Sequence, residues 1–309
     1  MDKISIVIPL HNECESLPTL MESISTVMNN GNTPWEAIFI DDGSTDRSWE
    51  TLRELHGTYG DKMRLFRFTR NYGKSAALSI GIKEAAGDII ITMDADLQDD
   101  PTAIPALLKK LDEGWDLVSG WKKKRYDPLT FTLPSKLWNI VNSILSGVKL
   151  HDFNCGFKAY RAIAAKSLEI YGDRHRYLPT LAHWNGFKVT ELPVPHHPRK
   201  FGRSKYGFGK FFNGVMDMLT LLFLKRYLRS PLHFFGLLGF GLILLGSSVL
   251  GYFGVQWILT GDMHIRPLTL LSVSSIIVGI QFLSFGFLAE ILINMAPKDT
   301  YYIREKIET

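Results

Sequence analysis

The chain has 309 residues, 46% of them hydrophobic and 21% charged, with a formal net charge of +4. That composition reads as globular on average, and so small a cationic excess, without any nucleic-acid motif, excludes nucleic acid as an expected partner. The two cysteines, Cys14 and Cys155, lack CxxC-type metal spacing and fall in segments assigned to the cytoplasm, so no disulfide is expected.

The charge is unevenly spread: nearly all of it precedes Arg229, and two long uncharged runs follow. Met1-Asp2-Lys3 leads straight into a strand pattern, so no signal peptide is expected. Residues 4–9 read as a buried strand, and 15–28 carry helical spacing. Residues 35–40 form a second strand that ends in Asp41-Asp42-Gly43-Ser44, with a helix from about Asp46. Residues 63–68 alternate as a third strand, and Asn71-Tyr72-Gly73-Lys74 opens a helix that runs to about Ala86. The apolar run from Ile89 then ends abruptly in Asp94-Ala95-Asp96-Leu97-Gln98-Asp99-Asp100. A helix over 102–113, a strand over 116–120, a helix over 134–148 and a strand over 189–194 follow, with a polar, glycine-bearing stretch at 151–161. Strands alternating with helices imply an α/β fold with a doubly wound, mostly parallel sheet.

Three strands end in polar clusters: Asn12-Glu13, Asp41-Asp42, and Asp94 with Asp96. All three fall on one edge of such a sheet, the edge where open α/β sheets bind ligands. On a continuing strand Asp94 and Asp96 would share a face. Two hard oxygen ligands there suit Mg²⁺ or Mn²⁺ carrying a diphosphate. The plainer alternative is a solvated acidic turn ahead of a helix. Two cationic segments, Lys122-Lys123-Lys124-Arg125 and residues 199–205, read either as solvated loops or as guides for an anionic substrate.

From Phe208 to Arg229 apolar residues recur at helical spacing between flanking cations, as in a helix lying in a membrane interface. Residues 234–259 and 268–288 carry no charge, and each is long enough to cross a bilayer. Lys225, Arg226 and Arg229 precede the first span and Lys298, Arg304 and Lys306 follow the second, so both termini are expected in the cytoplasm. Glu290, near the end of the second span, reads as interfacial. Glycines at 236, 239, 241, 246, 251 and 254 would permit close helix–helix approach, within the pair or in a homo-oligomer. The expected divisions are a catalytic domain over 1–207, an amphipathic segment over 208–230, a transmembrane hairpin over 231–296 and a tail over 297–309.

Taken together, Val7-Ile8-Pro9-Leu10-His11-Asn12-Glu13, Asp41-Asp42-Gly43-Ser44-Thr45-Asp46, Asn71-Tyr72-Gly73-Lys74, Asp94-Ala95-Asp96-Leu97-Gln98 and Cys155-Gly156-Phe157-Lys158 give the chain a family resemblance. It resembles the GT-A-fold inverting glycosyltransferases that make polyisoprenyl-phosphate sugars. That group includes dolichol-phosphate mannose synthases and, most similar in plan, the bacterial bactoprenol glucosyltransferases with their C-terminal pair of spans. The resemblance covers essentially the whole chain. It implies that Pro9, Asn12 and Glu13 lie in the nucleotide pocket, that Asp41 recognises the base, and that Asp42 and Lys74 sit near ribose and phosphate. It implies further that Asp94, Asp96 and Gln98 hold Mg²⁺ or Mn²⁺ with the diphosphate. Asp152, Arg199, Ser204 and Lys205 would face the donor and acceptor phosphates, with Arg125 also at the acceptor phosphate.

The implied reaction moves a hexose from a nucleotide sugar, UDP-glucose first, to undecaprenyl phosphate at a bacterial inner membrane. GDP-mannose is the alternative donor, and a membrane-anchored nucleotide-sugar sensor or scaffold is the non-enzyme alternative. A processive polysaccharide synthase would carry a Gln-x-x-Arg-Trp segment, which is absent here. A lipid monophosphate, with a second pKa of about 6, is already ionised near neutral pH. No general base is therefore required, and Asp152 is the candidate should one act.

Overall fold

A computed structural model describes residues 2–31, 33–123, 142–143, 146–172, 174–198, 230–261 and 267–295. The expectations for Arg125, for most of the 134–148 helix, for the 199–205 loop, for the amphipathic 208–229 segment and for the tail lie outside the described residues. The chain divides into two units: described residues up to Pro198 fall in the first, and those from Ser230 in the second.

The first unit is built on a seven-stranded sheet of order β3-β2-β1-β4-β6-β5-β7. Its strands are β1 (Ile4–Leu10), β2 (Trp35–Asp41), β3 (Met63–Arg67), β4 (Ile89–Thr92), β5 (Leu117–Trp121), β6 (Lys158–Arg161) and β7 (Val189–Pro193). β1 pairs in parallel with β2 and β4, β2 with β3, and β5 with β7; β6 runs antiparallel to both its neighbours. The order reverses between β1 and β4, which makes their carboxyl ends the topological switch point.

The strand interiors are apolar on both faces because helices cover both faces. Ile4, Ile6 and Ile8 of β1, Phe39 of β2 and Ile91 of β4 join one core with α1 (Leu17–Asn29), α2 (Ser48–Tyr59) and α4 (Ile104–Asp112). The alternate residues Val7, Ile38, Ile40 and Ile90 join a second core with α3 (Lys74–Glu84), α5 (Ala162–Lys166) and α6 (Leu178–Trp184). The period-two alternation of the pleat thus splits each strand between two cores. The amino-terminal edge is closed by buried Glu36, which accepts hydrogen bonds from Ser5 Oγ at 2.6 Å and Ala86 N at 3.0 Å. Burial opposes the Glu36 charge, but Ser5, Ala86 and Lys3 together hold its pKa below the ordinary value. That group serves the fold, leaving the opposite edge for ligands.

The second unit is a pair of helices, α7 (Pro231–Thr260) and α8 (Pro267–Met295), of 30 and 29 residues. At about 1.5 Å per residue each exceeds the ~30 Å hydrocarbon core of a bilayer. A core helix of a soluble protein would be buried; here Leu237 is 79% exposed and Ile258 77%. Such continuous apolar surface calls for a lipid covering. The two helices touch through small residues: a Cβ on Gly239 would lie 2.6 Å from Gly279 O, and one on Gly246 2.6 Å from Ser272 O. Ser275 Oγ donates to Leu242 O at 3.0 Å across the same seam. Two of the glycines singled out in the sequence thus serve the hairpin itself, whereas Gly241, Gly251 and Gly254 face open space.

Helix α3 lies close against the β1–β2 ladder at Gly81, where an added Cβ would fall 2.3 Å from Val7 Cγ1 and 2.7 Å from Ile40 Cδ1. Gly81→Val should destabilise the first unit by about 1–3 kcal/mol through overpacking, which exceeds the ~0.4 kcal/mol gained in helix propensity. A lower urea midpoint with an unchanged slope, followed by Trp fluorescence of the full chain in detergent, is the expected result.

Candidate active site

The carboxyl edge is assembled by loops that leave the strands in strained or tightly bonded conformations. Asn12, just past β1, and Leu97, past β4, both have φ of 60° and are the only non-glycine residues with positive φ among those described. Strain of this kind persists where the surroundings over-determine it, as at ligand sites. Asn12 holds the loop after β2: its Oδ1 accepts from Thr45 N at 2.8 Å, and its own N–H donates to Ser44 Oγ at 2.9 Å. The Glu13 N–H donates to Ser48 Oγ at 2.9 Å. Pro9 lies inside β1, paired with Ile40.

Asp41 is fully buried; its Oδ1 accepts from Ser44 N at 2.8 Å, and Arg67 Nε lies 3.2 Å from Oδ2. Asp42 spends both oxygens on the loop before α3, accepting from Tyr72 N at 2.7 Å and Gly73 N at 2.9 Å. These two carboxylates therefore shape the wall of a nucleotide-sized cavity rather than project into it. That cavity, of about 690 Å³, lies between the 43–45 loop, the 67–71 segment and His11. Gly43 makes the wall possible: it has φ of +68°, and a Cβ there would fall 2.4 Å from the Arg70 carbonyl carbon.

On the other side of β1, β4 ends at Thr92, one residue short of the carboxylates. Asp94 and Asp96 therefore sit in the turn beyond the strand, not on a continued strand face. Gln98 N donates to Asp96 Oδ1 at 3.2 Å, closing the turn around Leu97. Asp94 Oδ1 is ion-paired with Lys74 Nζ from the first turn of α3. Its backbone N–H donates to Asp99 Oδ2 at 3.4 Å, and Asp99 is fully buried against Lys122 Nζ at 3.0 Å. Burial alone would raise the Asp94 pKa, but Lys74, then Lys122 and Lys158, pull it down to about 2. Burial likewise opposes the charges of Lys74 and Lys122, and Asp94 and Asp99 respectively more than reverse it, so both lysines stay protonated.

The motif Cys155-Gly156-Phe157-Lys158 joins this cluster, through a strand that the sequence did not reveal. β6 is four residues long and runs against its neighbours, so its amino end arrives at the carboxyl edge, with Lys158 opposite Thr92. The preceding Gly156 lies directly against Asp94, where a Cβ would meet Oδ2 at 2.6 Å, and its carbonyl accepts from Thr92 Oγ1 at 2.8 Å. Lys158 is buried with Nζ donating to Cys155 O, and burial lowers its pKa. Burial pushes the Cys155 thiol up to about 12, so it offers no thiolate nucleophile at neutral pH. His175 bonds Ser75 Oγ at 2.9 Å, and burial, followed by Lys74 and Arg176, drives its pKa down to about 3. Asp152 is 1% exposed with Oδ1 accepting from Asn154 N at 3.1 Å. Lys122, for which the sequence left open a solvated loop or a guide for an anionic substrate, lies inside the cluster, paired with Asp99.

The segment after β7 returns to the same edge. His197 N donates to Gln98 O at 2.9 Å, and its Nε2 lies 3.0 Å from Asp100 Oδ2. The chain therefore passes the acidic turn two residues before Arg199.

Two carboxylates in one turn, with no third acidic, His or Cys group clustered on them among the described residues, form an incomplete oxygen cage. Such a donor set fits Mg²⁺ or Mn²⁺ that fills its shell with phosphate oxygens and water.

A sheet of this order with a nucleotide-sized cavity on one side of β1 and an acidic turn on the other is the arrangement of a GT-A glycosyltransferase. The description of glycosyl transferase family 2 matches residues 5–168. The chain belongs to that family and is a glycosyltransferase. Its relatives include the dodecaprenyl-phosphate galacturonate synthase of Rhizobium johnstonii, 37% identical over 98% of this chain and 92% of that protein. They also include the undecaprenyl-phosphate 4-deoxy-4-formamido-L-arabinose transferase of Pectobacterium atrosepticum, 34% identical over 98% and 93%. Among solved structures, glucosyl-3-phosphoglycerate synthase from Mycobacterium tuberculosis, crystallised with Mn²⁺ and UDP-glucose, superposes with a TM-score of 0.55. That match has 21% identity over 72% of this chain and 79% of the other, and carries the fold.

The Asp94 pKa falls from 3.8 to about 2 on folding, so its contribution to stability is present above the unfolded value and is lost as pH falls through the folded one. Asp94→Asn should be less stable than wild type by a constant margin above about pH 5, and the margin should close between about pH 4 and about pH 2. Denaturation midpoints measured across that range check it.

Proposed function

We propose that this protein transfers one sugar from a nucleotide sugar to a polyprenyl phosphate, by in-line attack with inversion, on the cytoplasmic side of a bacterial inner membrane. The observation that carries the reading is the acidic turn at the switch point: Asp94 kept ionised by lysines, with Asp96 two residues on. The relatives support the acceptor class, since those cited act by name on dodecaprenyl or undecaprenyl phosphate. The apolar helices α7 and α8 support a bilayer location, and the cations flanking them support cytoplasmic termini. The proposed division is a catalytic domain over 1–207, an interfacial segment over 208–230, a hairpin over 231–296 and a cytoplasmic tail over 297–309.

In this reading the nucleoside lies in the cavity beside the 43–45 and 67–71 loops. His11, Gly43, Ser44 and Arg67 are among its lining residues, and Asn12 and Asp41 brace that lining through Ser44, Thr45 and Arg67. The resemblance adds Pro9, Asn12 and Glu13 to the nucleotide pocket, Asp41 at the base and Asp42 near the ribose. Asp94, Asp96 and Gln98 would hold Mg²⁺ or Mn²⁺, whose role when bound is to stabilise charge developing on the departing diphosphate. Lys74 adds a point charge beside it. Arg199, Ser204 and Lys205, which follow directly on the His197–Gln98 contact, would hold the acceptor phosphate, with Arg125 a further cation there. Arg offers a planar fork and Lys a compact charge, and both shield the repulsion between two anions. The acceptor phosphate is its own nucleophile, so the protein need not remove a proton. The enclosure of Asp152 fits a positioning role better than that of a base.

The resemblance favours UDP-glucose, whereas the cited relatives name galacturonate and 4-deoxy-4-formamido-L-arabinose. The proposed donor class is a nucleoside diphosphate sugar that includes all three, with GDP-mannose as the fourth to compare.

Purified protein given each labelled donor, Mn²⁺ and polyprenyl phosphate should move label into the lipid phase for one of them. Donor binding without transfer, for every sugar, would instead indicate a sensor. Asp96→Ala should reduce metal-dependent transfer at least about a hundredfold with the fold retained by circular dichroism. Arg199→Ala together with Lys205→Ala should raise the KM for the lipid phosphate; unchanged kinetics for both substrates would remove these residues from the site.

A further inference from the structure

The Asp94 side chain is 29% exposed, but its backbone and one face of its carboxylate are confined by neighbours with little freedom to move. Gly156 packs against it so closely that a Cβ would lie within 2.8 Å of all three of its carboxylate atoms. Its backbone is tied to Asp99, which Lys122 anchors at 3.0 Å. Leu97, at φ of 60°, fixes the turn that follows. Lys74, by contrast, reaches Asp94 through four rotatable bonds, and its side chain remains one-third exposed. Any exchange of partners at Asp94 Oδ1 must therefore move the lysine, not the carboxylate.

We propose that Lys74 is an internal counter-ion for Asp94 that a divalent cation must displace, and that the displaced ammonium passes to the nucleotide's diphosphate. The inference rests on the metal and nucleotide placement given under Proposed function. A divalent ion arriving alone must compete with a cation already seated on one of its two carboxylates. When a diphosphate arrives with it, the ammonium gains a new anionic partner and the competition is relieved. Metal and nucleotide consequently load as a unit, each tightening the other by the same factor. Lys74 acts here as a positioning residue, and the coupling it creates is a property of binding, separate from the transfer step.

The test measures Mn²⁺ binding to the full chain in detergent by electron paramagnetic resonance of free Mn²⁺, with and without UDP. Wild type should bind Mn²⁺ weakly alone and about tenfold or more tightly with UDP. Lys74→Met should bind Mn²⁺ alone about tenfold more tightly than wild type and lose most of the UDP-dependent gain. Lys74→Arg, which keeps the cation, should retain weak binding of Mn²⁺ alone. Lys74→Gln, which keeps a donor for Asp94, stands in should the methionine variant fail to fold, and should show the same tightening. If wild type gains affinity with UDP but neither uncharged variant binds Mn²⁺ more tightly alone, the exchange is wrong while the site reading survives. If wild type binds no Mn²⁺ under either condition, the metal placement fails, and the exchange fails with it.

Discussion

Carboxylates gathered at one point of a sheet edge repel one another, and neutralising them is the constraint that shapes this catalytic domain. Two like charges about 4 Å apart cost on the order of 4 kcal/mol at an effective dielectric of 20, a large part of the 5–15 kcal/mol that holds a domain folded. Asp99 is fully buried and Asp94 29% exposed, and each has a lysine beside it: Lys122 from the end of β5 and Lys74 from α3. Lys158 adds a third amine, itself fully buried, from β6. Segments more than eighty residues apart thus meet to balance charge, and the balance leaves Asp94 ionised across the physiological range.

The same economy of polar groups explains what was legible in the sequence. β1, β2 and β4 were plain because strands covered on both faces are continuous apolar runs. The carboxyl edge was plain too as the candidate site, since three such runs stop at polar clusters. Which members of those clusters face a ligand was not visible. Asn12, Asp41, Asp42, Asp94 and Asp96 look equivalent in sequence; in the structure the first three bond loop amides and Arg67, whereas Asp94 pairs with Lys74 and Asp96 accepts from Gln98 N. β6 was hidden because Lys158–Arg161 has two cations among four residues and takes its strand character from pairing on both sides. α5 and α6 are too short to show a helical period. The sequence left Lys122 open between a solvated loop and a substrate guide because nothing local announces its partner, Asp99, twenty-three residues earlier.

The membrane unit was legible for the opposite reason. A helix that is apolar all round needs no tertiary context to be recognised, and α7 and α8 keep that surface exposed. Their mutual contact depends on Gly239, Gly246 and Gly279, where backbone meets backbone with no side chain between. Without a hydrophobic driving force in lipid, such close approach is what holds two helices together. Family 2 membership places the chemistry in the first unit, and the hairpin accounts for why a lipid-borne acceptor suits it.

The antiparallel β6 has a bearing on how the protein is made. β4 and β5 have no direct ladder; both pair with a strand that is synthesised well after them. While the ribosome is still extending the chain, β4 presents an open row of amides and carbonyls, and the acidic turn beyond it lacks Gly156 and Lys158. Strand insertion between two waiting neighbours closes a long loop and is slow. Nascent chains shorter than about 160 residues should therefore be the ones that chaperones hold and proteases cut.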